Sequence, residues 1–217
     1  MPKKIYFVRH GESTHGAQER YQAGDNPLSE RGIAQATSVA KRFANISIDR
    51  IYSSPYPRVL QTAEQINTVV QKEIVVLDLL RELKRPSELV GKHIKDPQVL
   101  RIKASMREHA HDSAWHHSDE ENFYELRDRV GKALQMLEQD SHDSLLVVSH
   151  AVLMKMFALV MIMGEQADHK AYDAFYHHLR LTQTGITLFE RGSDGWRLMT
   201  WNDYAHLGED TTEVAYK

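Results

Sequence analysis

Residues 5–12 read Ile5-Tyr6-Phe7-Val8-Arg9-His10-Gly11-Glu12. Four β-branched or aromatic residues make a short buried strand, and an abrupt change to charged and small residues ends it. The same change recurs three times. Residues 48–52 run into Ser53-Ser54-Pro55 and then Arg58, residues 74–77 into Arg81-Glu82, and residues 145–148 into Ser149-His150. All four strands are followed by helix-like or cap-like sequence. Strands alternating with helices imply a mostly parallel sheet with helices on both faces, a three-layer α/β/α fold. Residues 185–189 and 196–201, joined around Ser193-Asp194-Gly195, predict an antiparallel hairpin at one edge.

Helix signals agree. Ser29 is a good N-cap, with Leu28 and Ile33 spaced as a hydrophobic staple. Val59, Ala63, Ile66 and Val70 share one helical face. Ser118 and Glu121 have capping-box spacing ahead of Phe123, Leu126, Val130, Leu134 and Leu137. Residues 152–163 are apolar nearly all round and predict a buried helix. The polar, irregular stretch 86–118 reads as an inserted helical lobe over one edge of the sheet. The expectation is a single domain over 1–217 with an inserted cap segment at about 84–118.

The chain has 217 residues, a formal net charge of −3 and no cysteine. Disulfides and thiolate nucleophiles are thereby excluded, and with them cysteine-based phosphatases and proteases. No basic stripe suits a nucleic-acid partner. No apolar run approaches the roughly 20 residues of a membrane span. The expected setting is cytoplasmic. No Gly-rich loop with Lys-Ser/Thr is present, which argues against a P-loop phosphotransferase.

In an open parallel sheet, ligands bind outside the carboxyl ends of the strands. Two histidines, at least two arginines and a glutamate are placed there. Arginine forks match phosphate oxygens. One neutral imidazole can attack phosphorus if its other nitrogen is held by an acceptor, and a second can donate to the equatorial oxygens. Gly11 allows the backbone to approach a ligand closely. Glu82 is the best-placed carboxyl for protonating a leaving alkoxide. The composition of this rim fits a phosphate monoester.

These residues resemble the histidine phosphatase superfamily, which includes the cofactor-dependent phosphoglycerate mutases. The resemblance begins at Val8-Arg9-His10-Gly11-Glu12-Ser13-Thr14. It continues through Asp25-Asn26-Pro27-Leu28-Ser29, Gly32, Gln35-Ala36, Ser53-Ser54-Pro55, Arg58 and Gln61-Thr62-Ala63. It resumes at Arg81-Glu82, at Val148-Ser149-His150, and from Trp196 to His206-Leu207. It implies that His10 is the phosphorylated nucleophile, that Arg9, Arg58 and His150 line the phosphate pocket, and that Glu82 is the general acid. It implies no metal and no organic cofactor. Two positions depart from the family pattern. Gly16 stands where many members carry an asparagine, and Ala151 stands where glycine usually follows the second histidine. Alanine would be strained at positive φ.

Gly11, Ser13, Ala151, Lys84 and Arg85 are the candidate substrate contacts, although Ser13 and Thr14 suit turn roles equally. Glu12 is better read as neutralising an arginine. His109, His111, His116 and His117, clustered about Trp115, lack a recognisable metal spacing and read as a polar face. The expected partner is a small phosphorylated metabolite. Mutases of the family carry paired arginines in a longer insert, and no adjacent Arg-Arg pair occurs here, so hydrolysis is expected. A mutase, or a non-catalytic phosphate-binding protein on the same fold, are the alternatives.

Overall fold

The computed structural model describes residues 2–21 and 24–208. Strands β1 (Lys4–Arg9), β2 (Arg50–Ser53), β3 (Ile74–Val76), β4 (Ser144–Ser149), β5 (Ile186–Gly192) and β6 (Gly195–Asp203) form one sheet, in the order β3-β2-β4-β1-β5-β6. The first four run parallel. β5 pairs antiparallel with β1, and β6 with β5, making the expected edge hairpin. Its turn is Ser193-Asp194, with Gly192 paired to Gly195.

The described residues form six helices: α1 (Glu30–Arg42), α2 (Pro57–Val70), α4 (Phe123–Gln139) and α5 (Ala151–Met163) pack on the sheet, while α3 (Pro97–Glu108) lies in the 86–118 stretch and α6 (His169–His178) follows α5. Successive strand side chains point to opposite faces, which divides the core in two. Ile5, Phe7, Leu145 and Val147 pack with Leu126, Val130 and Phe157 of α4 and α5. Val8, Ile51, Leu146 and Val148 pack with Val39, Val59 and Ile66 of α1 and α2. Burying each such side chain contributes about 1.5–3 kcal/mol. α5 is buried almost throughout, as its unbroken apolar run requires.

The caps follow local chemistry, with two departures from expectation. Ser29 Oγ accepts the Gly32 N–H at 3.0 Å and opens α1. Ile33, however, is 45% exposed, so the anticipated staple with Leu28 does not bury it. The capping box of α4 lies four residues later than the Ser118–Glu121 spacing suggests. Asn122 Oδ1 accepts the Tyr124 and Glu125 N–H groups, and the Glu125 carboxylate accepts the Asn122 N–H. Asn122 directly precedes the apolar face and is as strong a cap as serine. Glu121 is instead drawn inward to Arg129, at 2.7 and 2.6 Å.

The stretch 86–118 contains a 3₁₀ turn (Ser87–Leu89) and α3, which opens on the Asp96 cap with Pro97 at its first position. Leu89, Val99 and Ile102 form a small cluster of their own. Backbone bonds clip this stretch to the loop after β1. Tyr21 N–H reaches Lys92 O at 3.0 Å, Gly91 N–H reaches Tyr21 O at 2.9 Å, and Ile94 N–H reaches Glu19 O at 3.0 Å. Among the described residues, no helix is long and apolar enough to cross a membrane.

Candidate active site

β1 and β4 are parallel neighbours in register, Arg9 opposite Ser149. The next residue on each chain is a histidine, so the sheet itself sets His10 beside His150. Their ring centroids are 5.2 Å apart with planes at 67°. Both are buried, His10 at 5% and His150 at 0% exposure. His10 Nδ1 lies 2.6 Å from the Gly11 carbonyl. A carbonyl only accepts, so Nδ1 carries the proton and Nε2 keeps its lone pair. Burial holds the pKa of His10 well below the ordinary histidine value, and the charges of Arg58 and Arg9 depress it further. His150 is depressed in the same direction, first by burial and then by Arg58.

Arg58 sits in the first turn of α2 and is 4% exposed. Its Nη2 approaches His150 Nδ1 at 3.4 Å, while Ser54 Oγ meets His150 Nε2 at 2.9 Å. Guanidinium only donates, so His150 accepts at Nδ1 and donates to Ser54 from Nε2. The Tyr56 ring closes this corner, 5.2 Å from His150 and 5.0 Å from the Arg58 guanidinium. Arg9 is buried and donates to the Leu181 carbonyl.

Glu82 follows a 3₁₀ turn after β3 (Asp78–Leu80). Its carboxylate accepts the Leu83 N–H at 2.9 Å, the Leu153 N–H at 3.2 Å and the Val152 N–H at 3.3 Å. It thereby takes up donors that the first turn of α5 leaves without intrahelical partners. Arg129 braces this turn from α4, donating to the Leu79 carbonyl at 2.7 Å and the Arg81 carbonyl at 2.8 Å. Arg81 itself turns away to pair with Asp78. Nothing in the local sequence marks Arg129, because its partners lie 48 and 50 residues away.

A cleft of about 330 Å³ opens over these groups. His10, Arg58, Glu82, Lys84 and Arg85 line it, with His150 and Arg9 buried close to His10. Lys84 pairs with Asp119 at 3.1 Å, and Arg85 donates to the Tyr176 hydroxyl at 3.3 Å. Arg20, Tyr56, Lys103 and Tyr176 also face the cleft and were not singled out by sequence reasoning. Gly11 is required by packing. Its N–H donates to Thr62 Oγ1 at 3.1 Å, and a Cβ there would meet the Gly32 carbonyl at 2.5 Å. Ser13 Oγ accepts the Gly16 N–H at 3.2 Å, a turn role. Ala151 opens α5 and is not among the described residues of positive φ, so the strain anticipated for it does not arise.

Glu12 is neutralised as expected, by Arg31 at 3.3 Å, and accepts from Ser29 Oγ at 2.8 Å. The histidines near Trp115 disperse. His109 stacks on Trp115 with centroids 4.4 Å apart, His116 meets Glu125 at 3.0 Å, and His117 meets Glu88 at 2.7 Å. Among the described residues, no group of three or more His, Asp or Glu is disposed to hold a metal ion.

The geometry has a counterpart among known proteins. The sequence profile described as Histidine phosphatase superfamily (branch 1) matches residues 5–204. The chain belongs to this superfamily. A probable phosphoglycerate mutase GpmB of Shigella boydii is 31% identical over 94% of each chain, and that of Proteus mirabilis is 28% identical, also over 94% of each. Among solved structures, YhfR of Bacillus stearothermophilus superposes with a TM-score of 0.80 at 23% identity, covering 94% of this chain and 99% of that one. The phosphoserine phosphatase of Entamoeba histolytica, in complex with 3-phosphoglyceric acid, gives 0.77 at 24% identity over 94% and 99%. This superfamily member therefore shares its fold with phosphatases and aligns over nearly its whole length, at about three identities in ten, with proteins named as probable phosphoglycerate mutases.

Proposed function

We propose that the protein is a metal-independent phosphatase, hydrolysing small phosphomonoesters through a phosphohistidine on His10. The supporting observation is the His10 tautomer. The Nδ1 proton is tied to Gly11 O, and the ring is kept neutral by burial and by Arg58, so Nε2 presents a lone pair beside an arginine-lined cleft. In the first step Nε2 attacks phosphorus, the bond from phosphorus to the ester oxygen breaks, and Glu82, which must enter this step as the carboxylic acid, gives its proton to the leaving alkoxide. In the second step water attacks the phosphohistidine, Glu82 takes the water proton, and phosphate leaves with His10 restored. Arg9, Arg58 and His150 stabilise the charge on the transferring phosphoryl group.

Phosphate release from an aryl phosphate, measured with a chelator present, tests this reading. Activity that survives chelation in the wild type and vanishes in His10→Ala supports it. Equal activity in both proteins overturns it. The names of the curated relatives favour a second reading, a phosphoglycerate-type mutase. Phosphoryl transfer stimulated by a bisphosphate, exceeding phosphate release, would establish that reading instead. The stretch 84–118, clipped to the loop after β1, is proposed to act as the cap of the cleft, with Lys84 and Arg85 reaching the substrate.

A further inference from the structure

A second cavity, of about 830 Å³, lies beside the phosphate cleft of about 330 Å³. Leu83, Arg85, Lys103, Tyr176 and His177 border both, so the two spaces share a wall. Glu82 lines the cleft, and the next residue along the chain, Leu83, is the first of that shared wall. On the proposed chemistry, the leaving oxygen is the substrate atom that meets Glu82, and its carbon skeleton lies on the Glu82 side of phosphorus. Leu83 is thus the residue that joins the position of Glu82 to the second cavity.

The cavity is walled by rings. Phe123 and Tyr172 have centroids 5.4 Å apart, Tyr172 and Tyr176 6.0 Å apart, and Trp115 presents a flat indole stacked on His109. Leu100 of α3 stands at its rim, 53% exposed and without apolar cover. Several charges in this wall are taken by protein groups, while Arg85 and Lys103 stand at its border with the phosphate cleft. Arg107 pairs with Asp173 at 3.2 Å, Glu121 with Arg129 at 2.6 Å, and Glu120 accepts the N–H groups of His117 and Ser118. Such a lining suits an apolar, flat group better than a second anion.

We propose that the second cavity receives the alcohol portion of the substrate, and that this portion is bulky and aromatic or apolar. The inference rests on the phosphatase reading of His10 and Glu82. Ethyl phosphate and 2-(1-naphthyl)ethyl phosphate are both primary alkyl esters with similar leaving groups, so they differ chiefly in what reaches the cavity. The naphthyl ester should show a KM lower by about 30-fold or more. Ala104→Trp, which fills the cavity from an exposed position of α3, should bring the two KM values to within about threefold of each other. Leu100→Gln, a change at an exposed position, should narrow the gap in the same direction.

Equal KM values in the wild type, or a preference for a bisphosphate over the naphthyl ester, would overturn the proposal. So would a gap that both variants leave intact. If neither ester is hydrolysed, the phosphatase reading fails, and calorimetric binding of the same two esters then decides the cavity separately. Tighter binding of the naphthyl ester that Ala104→Trp abolishes supports it, and indifference to the naphthyl group overturns it.

Discussion

The rings of His10 and His150 meet edge to face at 5.2 Å, with Arg58 bonded to the second and acting on the charge of both. Buried imidazoles this close to each other and to a guanidinium resist protonation. In the unfolded chain each titrates near 6.5. Between that value and the lowered folded one, the unfolded state binds the proton and the native state does not. Stability is therefore present above about pH 6.5 and lost as pH falls through the folded values. Catalytic competence of His10 should likewise persist well below pH 6.5. NMR titration of the imidazole Cε1–H signals checks this, and two rings titrating at the ordinary value would contradict it.

Removing the Arg58 charge should move both histidines back up. In Arg58→Met, the acid limb of kcat/KM should shift to higher pH, and kcat/KM on the plateau should fall by roughly 10²–10³-fold through loss of a donor to the phosphoryl oxygens. A pH–rate profile of this variant separates the two effects. An unshifted limb would mean that burial and Arg9 hold the rings neutral without Arg58.

Arg129 links stability to the placement of Glu82. Arg129→Met leaves the buried Glu121 carboxylate unpaired and should cost about 3–5 kcal/mol in denaturant unfolding. It should also lower kcat, because the carbonyls of Leu79 and Arg81 lose the donor that braces the turn ahead of Glu82. Adding Glu121→Leu should restore much of the stability but not kcat. Recovery of both would assign the ion pair a purely structural role.

Lys155 is a buried lysine in an otherwise apolar helix. Its Nζ donates to the Tyr176 carbonyl at 2.6 Å and lies 5.0 Å from the Tyr176 ring. Burial lowers its pKa to about 8, Arg9 and Arg180 push the same way, and Glu82 opposes them. As pH rises through about 8 the charge is lost, and with it the cation–π contact that steadies Tyr176. KM for esters reaching Tyr176 should rise across that range. Lys155→Arg, which stays protonated, should abolish the rise. A KM independent of pH in the wild type would refute this.

The parts of the site that were legible in the sequence are those where chemistry sits next to a strand along the chain. His10, Arg58, Glu82 and His150 each follow a short apolar run within a few residues, so sheet geometry alone brings them to one rim. Arg129, Lys155 and Tyr176 were not legible, because their roles come from partners on other elements. Arg81 shows the limit from the other side: it shares the strand end with Glu82, yet its guanidinium is captured by Asp78. The cap of α4 was misplaced for a similar reason. Ser118 and Asn122 are equally good caps by residue type, and the burial of Glu121 against Arg129, together with the position of Asn122 directly before Phe123, distinguishes them. The aromatic cavity is assembled from residues between 83 and 177, with no periodicity that joins them.

The proposed hydrolysis passes through a phosphoryl group on His10, which rapid acid-free quenching of the enzyme during turnover would trap. The expected result is an acid-labile, base-stable phosphoryl group on Nε2 of His10, located by mass spectrometry, formed within one turnover and absent in His10→Ala. Turnover with no labelled protein, or with the label on any other residue, would contradict it.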